Sequence, residues 1–316
     1  MSPEKVALLL FTAAWVLPAG TSEVTPPGTC MGAGNPPLDL VSSSVDDLYR
    51  GCEYPMWQHL PSLMKKELTE NENFDLAWNT AKKEWLRKTN TFIFPNTMKA
   101  FCSVAVVAYT LNDPPLYKDF NTATRTGWTG SPAYASYPFK ALHFLLTQAS
   151  KEIWGIKPSC ETVYRGANVK FSISRLFRFG QFTSTSKSSR VAAGFSQKTF
   201  FVLVSCTGYA LRDLSHYLKE QEVLVLPSEM FQVTKVQLNE QGQTVHAKSV
   251  GVCSNHNCAY VGRGDPNVKR CPPHQEALGL VCCYPLSPGP EGLQEYKGMK
   301  KEKEEGDGPA GSGAGE

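Results

Sequence analysis

Three short stretches carry residue types from which a reactive site can be built. Thr162-Val163-Tyr164-Arg165-Gly166 places an arginine at the end of a predicted strand; a guanidinium is permanently charged and can hold an anion through two parallel hydrogen bonds. Phe179-Gly180-Gln181-Phe182-Thr183-Ser184-Thr185-Ser186 sets small hydroxyls beside aromatic rings. Lys219-Glu220-Gln221-Glu222-Val223-Leu224 puts two carboxylates at i and i+2 directly before a β run, and a positioned carboxylate stabilises developing positive charge. Taken singly, each has a bland explanation: a surface arginine, an ordinary loop, a solvated turn. The ordered triple is far more specific than any of its parts.

Little else competes with it. His59, His143, His216, His246, His256 and His274 are scattered, with no H-E-x-x-H and no Ser/His/Asp set, and His143 lies in the apolar stripe FKALHFLLT, where a structural histidine is expected. Cys253, Cys258, Cys271, Cys282 and Cys283 have spacings that suit zinc poorly, so disulfides are expected there and no metal. Neither G-x-G-x-x-G nor G-x-x-x-x-G-K-[ST] occurs, so the two commonest phosphate cradles are absent.

The elements that must position the triple divide by period. Ser44 to Arg87 reads as helical, with a start at Ser44-Val45-Asp46-Asp47, apolar positions Met56, Leu60, Leu63 and Met64, and a second helix through Leu76, Ala77, Trp78, Ala81 and Trp85. Ala100 to Thr110 is apolar nearly all round, which suits a buried helix or a strand of similar length, and Tyr134 to Trp154 is a further amphipathic segment. After Lys157-Pro158 the period changes to short β-rich runs at Thr162–Arg165, Thr199–Thr207, Glu222–Leu226 and Met230–Leu238. Helices followed by strands predict an α+β fold, a helical N-terminal part packed on a mainly antiparallel β core.

Composition sets the compartment. The chain has 316 residues, 41% hydrophobic and 11% aromatic, with 32 Lys+Arg against 29 Asp+Glu, which excludes a disordered chain and leaves a net charge of +3, too small and too evenly spread to argue for nucleic acid. Residues 1–22 combine a basic start, the apolar run VALLLFTAAWVL and small residues after Pro18, the pattern of a signal peptide. Export would make the ten cysteines a disulfide framework. Residues 38–280 are the expected folded domain, and 285–316, rich in Gly, Pro and charge, the expected disordered tail. No hydrophobic anchor follows that tail, so a soluble, secreted monomer without a membrane anchor is expected.

Arg165, Ser184-Thr185-Ser186 and Glu220-x-Glu222 together resemble the R-S-E signature of the arginine-specific mono-ADP-ribosyltransferases, in particular the vertebrate ecto-enzymes. Asp46-Asp47-Leu48-Tyr49-Arg50-Gly51-Cys52, Ala108-Tyr109-Thr110, Phe139 to Phe144, Gly180-Gln181-Phe182 and Asn257-Cys258-Ala259-Tyr260 are similar to family landmarks in the same order, so the resemblance covers about residues 45–260. The missing anchor makes the chain most similar to secreted members.

The resemblance implies NAD, or alternatively NADP, as co-substrate, and transfer of ADP-ribose to arginines of extracellular or secreted proteins with release of nicotinamide. It implies that Glu222 stabilises the positive charge on the ribose, Ser184 orients NAD and Glu222, Arg165 binds phosphate and Glu220 receives the acceptor guanidinium. By the same resemblance Tyr109, Gln181 and Ser215 line the nucleotide pocket, although Tyr109 suits a core position equally well. Disulfides Cys160–Cys206 and Cys52–Cys258 are implied too, while the pairing of Cys30, Cys102, Cys253, Cys271, Cys282 and Cys283 is left unassigned, since six cysteines allow fifteen pairings. Three other activities fit parts of the pattern: an NAD glycohydrolase that passes the ribosyl group to water, an inactive binding module of the same fold, and a disulfide-rich extracellular interaction protein. Glu220 argues against the first, and the intact Arg165 and Glu222 against the second. The third would need no carboxylate pair.

Overall fold

The computed structural model describes residues 35–89, 97–154, 160–262 and 264–272. The expected signal segment, the expected tail, and Cys30, Cys282 and Cys283 lie outside the described residues.

Amphipathic spacing produces the helical half. Helix α1 (Glu53–Glu70) buries Met56, Leu60, Leu63 and Met64, and α2 (Glu72–Thr89) buries Phe74, Ala77, Trp78, Ala81 and Trp85, leaving Leu76 exposed. Helix α3 (Met98–Thr110) is buried on every face from Cys102 onward, so the apolar run is a helix; the Thr97 hydroxyl caps it by accepting the Ala100 N–H at 3.2 Å. Helix α4 (Leu116–Thr126) was not legible in the sequence. The segment read as one helix from Tyr134 is two, α5 (Ser131–Ser136) and α6 (Lys140–Trp154). Pro138 separates them, and Glu67 on α1 caps α6 by accepting the N–H groups of Lys140 and Ala141.

One expected helix start is absent. Helix α1 begins at Glu53, because Asp46 and Asp47 spend their oxygens on a local turn and on distant segments instead of on a helix start. Asp46 pairs with Arg178 at 2.7 Å, both fully buried, and Asp47 accepts the N–H groups of Tyr49, Cys258 and Ala259. His143 is structural, bonded to the Tyr49 hydroxyl and the Val45 carbonyl, and burial pushes its pKa down to about 4.

The second half forms β1 (Pro37–Leu38), β2 (Glu161–Ala167), β3 (Ser172–Ile173), β4 (Leu176–Phe177), β5 (Thr183–Ser186), the short helix α7 (Ser189–Phe195), β6 (Thr199–Ser205), β7 (Tyr209–Ala210), β8 (Glu222–Val225), β9 (Glu229–Asn239) and β10 (Gly242–Val252). Eight strands make one sheet in the order β4-β9-β10-β6-β2-β5-β8-β7, antiparallel except for β10 beside β6, while β1 and β3 pair separately. The architecture is thus α+β with a mainly antiparallel sheet. Alternating side chains serve two cores: Leu224 joins the helices, Phe182, Tyr209 and Leu211, whereas Val223 and Val225 join Phe177, Phe179, Phe201 and Phe231.

Three disulfides join described residues: Cys52–Cys258, Cys160–Cys206 and Cys253–Cys271. The first links positions 206 residues apart. Closing a loop above about 100 residues contributes up to about 4 to 5 kcal/mol in the chain-entropy model. The third pair could not be assigned from sequence. Cys102 is a buried free thiol in α3.

Candidate active site

The site forms where the sheet is least continuous. Strands β2 and β6 pair through seven residue couples and β5 and β8 through four, but β2 and β5 share only Tyr164 opposite Ser186. Arg165 spans this seam, its Nη1 donating to the Ser184 carbonyl at 2.7 Å. Burial lowers the guanidinium pKa to about 10, opposed by Tyr109 and Glu222, so the group stays charged at neutral pH.

Glu222 opens β8, opposite Ser186, and is 5% exposed. Its Oε2 accepts the Ser215 hydroxyl at 2.8 Å, and the Ser184 hydroxyl is a second donor. Burial raises the pKa of this carboxyl, while Ser184, Ser215 and Arg165 oppose the rise by favouring its charged form.

Glu220 ends a 3-10 turn, Leu218–Glu220, and Gln221 then takes a left-handed backbone, φ 48°, before β8 begins. A non-glycine residue there is strained and needs outside support. The Ser186 hydroxyl donates to the Glu220 carbonyl at 2.6 Å, and the Lys187 N–H to the Gln221 carbonyl at 3.2 Å. Both carboxylate oxygens of Glu220 are buried without a hydrogen-bond partner. Burial first, and the charge of Glu222 second, push its pKa up to about 8. Near neutral pH Glu220 therefore keeps its proton, while the donors around Glu222 favour its charged form against burial.

The residues singled out in the sequence lie at different depths. Arg165, Ser184, Ser215 and Glu222 converge, with Glu220 beside them. An open cavity of about 310 Å³ is lined by Glu222, Ser215, Tyr217, Lys187, Arg212 and Asp213, among others. Gln181 is 1% exposed, and its Oε1 is buried without a partner. Tyr109 lies beneath the site: its hydroxyl donates to the Phe182 carbonyl at 3.1 Å and accepts from Asn121 Nδ2 at 3.0 Å. Ser215 meets Glu222 directly instead of only lining a pocket.

Some contributors carry no mark in the sequence. Ser186 stands inside the quoted Ser/Thr run, but only the fold shows that it pins the turn holding Glu220. Asn121 belongs to the unrecognised α4. Glu84 and Lys88 look like an ordinary i, i+4 surface pair, yet Lys88 Nζ donates to the Ser215 carbonyl at 3.0 Å.

Comparison with known proteins gives the same direction. Residues 38–255 match the family model described as NAD:arginine ADP-ribosyltransferase. The chain is 36% identical over 292 residues to NAD(P)(+)--arginine ADP-ribosyltransferase 2 of Gallus gallus, covering 87% of this chain and 89% of that protein. It is 37% identical over 237 residues to ecto-ADP-ribosyltransferase 5 of Mus musculus, covering 72% and 76% respectively. Among solved structures, a variant of the eukaryotic mono-ADP-ribosyltransferase ART2.2 in complex with NAD matches with a TM-score of 0.62 and 30% identity, covering 71% of this chain and 99% of that one. The chain belongs to the NAD:arginine ADP-ribosyltransferase family.

Proposed function

We propose that this chain is an NAD-dependent mono-ADP-ribosyltransferase that modifies arginine side chains of extracellular or secreted proteins and releases nicotinamide. One observation carries the reading: a buried carboxyl without a partner, Glu220, stands beside a second carboxyl, Glu222, whose Oε2 accepts a hydrogen bond from the Ser215 hydroxyl. A buried acceptor of this kind calls for a donor from a ligand. A guanidinium fits best, because its planar fork matches a carboxylate and its charge favours loss of the Glu220 proton.

The remaining residues fit NAD. Gln181 offers a second buried acceptor, Oε1, suited to an amide or hydroxyl donor. Arg165 supplies fixed positive charge for phosphate. NAD brings a glycosidic bond to nicotinamide, whose cleavage leaves positive charge on the ribose. Glu222, held by Ser184 and Ser215, presents a preorganised anion to that charge, and the burial of its side chain strengthens the interaction. Glu220 orients the acceptor nitrogen and takes up a proton as the new bond forms. The disulfides support action in an oxidising compartment, outside the cell.

The test is direct. The purified chain is incubated with NAD and a small guanidino acceptor, and both ADP-ribosyl-guanidine and free ADP-ribose are measured. The conjugate is expected as the main product. Free ADP-ribose alone would identify a glycohydrolase, and no NAD consumption would identify a binding module.

A further inference from the structure

We infer that Glu84 and Lys88, two residues of the helical half remote in sequence from the R-S-E triple, are positioning residues for the reaction: they hold the Ser215-His216 dipeptide so that the Ser215 hydroxyl is aimed at Glu222. The inference rests on the transferase reading.

The geometry converges on one peptide unit. Lys88 Nζ donates to the Ser215 carbonyl at 3.0 Å. Glu84 Oε1 lies 3.2 Å from Lys88 Nζ and 3.2 Å from His216 Nδ1, bridging the two. The His216 N–H donates to the Thr110 hydroxyl at the end of α3, at 3.2 Å. The segment that carries Ser215 is therefore gripped by α2 and α3 through its carbonyl, its next N–H and its next side chain. Burial works against the charged form of Glu84, but Lys88 and then His216 outweigh it and hold the carboxyl below its ordinary pKa.

The grip has a chemical consequence because of how the Ser215 hydroxyl is used. It accepts the Tyr217 N–H at 3.1 Å, and its one proton goes to Glu222 Oε2 at 2.8 Å. A hydroxyl has a single proton to donate, so its direction decides whether that Glu222 oxygen is held. A shift of the 215–216 peptide would turn the hydroxyl away from that carboxylate oxygen. Lys88 and His216 side chains are 25% and 42% exposed, whereas Glu84 is 10% exposed. A pair serving only overall stability in so exposed a place would contribute about 1 kcal/mol or less. What these residues add is direction at the site.

A double-mutant cycle tests it, with guanidine transfer and NAD hydrolysis followed together and wild-type turnover confirming the transferase reading independently. Lys88→Met is expected to lower kcat about tenfold, with KM for NAD within about twofold, since a lost charged hydrogen bond acts here on the held geometry and not on ligand binding. Lys88→Arg, which keeps a cation within reach, should restore most of the rate. In a Ser215→Ala background, Lys88→Met should have almost no further effect, because the group it aims is gone. An equal loss in both backgrounds, or a change in KM alone, overturns the inference. If Lys88→Met unfolds in a thermal melt, the same cycle run with Glu84→Gln decides by the same criterion. An inactive wild type would instead remove the functional reading on which the inference stands.

Discussion

The charge of Glu222 helps to keep Glu220 protonated across a single left-handed residue, Gln221. Two carboxyls two positions apart thus have different tasks, assigned by their donors: Glu222 has Ser184 and Ser215, and Glu220 has none. This asymmetry leads to the first three predictions.

Glu222→Gln removes the anion but keeps the shape of the side chain. Transfer and hydrolysis should both fall by about 100-fold to 1000-fold, the scale for losing one preorganised electrostatic partner. Steady-state rates of nicotinamide release check this. Retained transfer would refute the role given to Glu222.

Glu220→Gln should separate the two outcomes of NAD cleavage. Hydrolysis to free ADP-ribose should continue, while transfer to a guanidino acceptor falls about 100-fold through loss of the charged pairing. The product ratio, read by chromatography, is the measurement. Equal loss of both products would place Glu220 in bond cleavage instead.

Stability should move the opposite way in that variant. The Glu220 pKa is raised from 4.5 to about 8, so the stability this group allows is fully present below the ordinary value and is lost as pH rises through about 8. Replacing it with Gln should therefore raise Tm more at about pH 8.5 than at about pH 5. For the same reason the wild-type KM for the acceptor should fall as pH rises toward about 8. Calorimetry at the two pH values would show an unchanged Tm difference if Glu220 were already ionised.

Tyr109 distinguishes support from contact. Its hydroxyl joins Asn121 to the Phe182 carbonyl beneath the site. Tyr109→Phe leaves buried groups unpaired, for a loss of about 1 to 3 kcal/mol in unfolding free energy. KM for NAD should hardly change. A large rise in KM with unchanged stability would mean that the hydroxyl touches the nucleotide.

Much of this site is legible in the chain. Arg165, Ser184 and Glu222 have distinctive types and order, and the apolar spacing of Met56, Leu60 and Leu63 marks a core-facing helix. Asp46 and Asp47 misled because an aspartate before an apolar run has the same local signature whether it caps its own helix or, as here, a segment some 200 residues away. Glu84 and Lys88 were hidden for a related reason. Their spacing is that of a solvated helix pair, and only the fold reveals the Ser215 carbonyl at the end of the lysine. The Cys253–Cys271 bridge needed the tertiary path as well, since six unassigned cysteines allow many pairings.

Arg178 touches both ends of the described domain at once: its guanidinium donates to the carbonyls of Leu40, Val41 and Cys253 and pairs with Asp46. The chain therefore enters and leaves the domain through one knot, closed further by Cys253–Cys271. Removing that guanidinium would strip a buried Asp46 carboxylate and the carbonyls of Leu40, Val41 and Cys253 of their shared donor, so both ends of the described domain would loosen together.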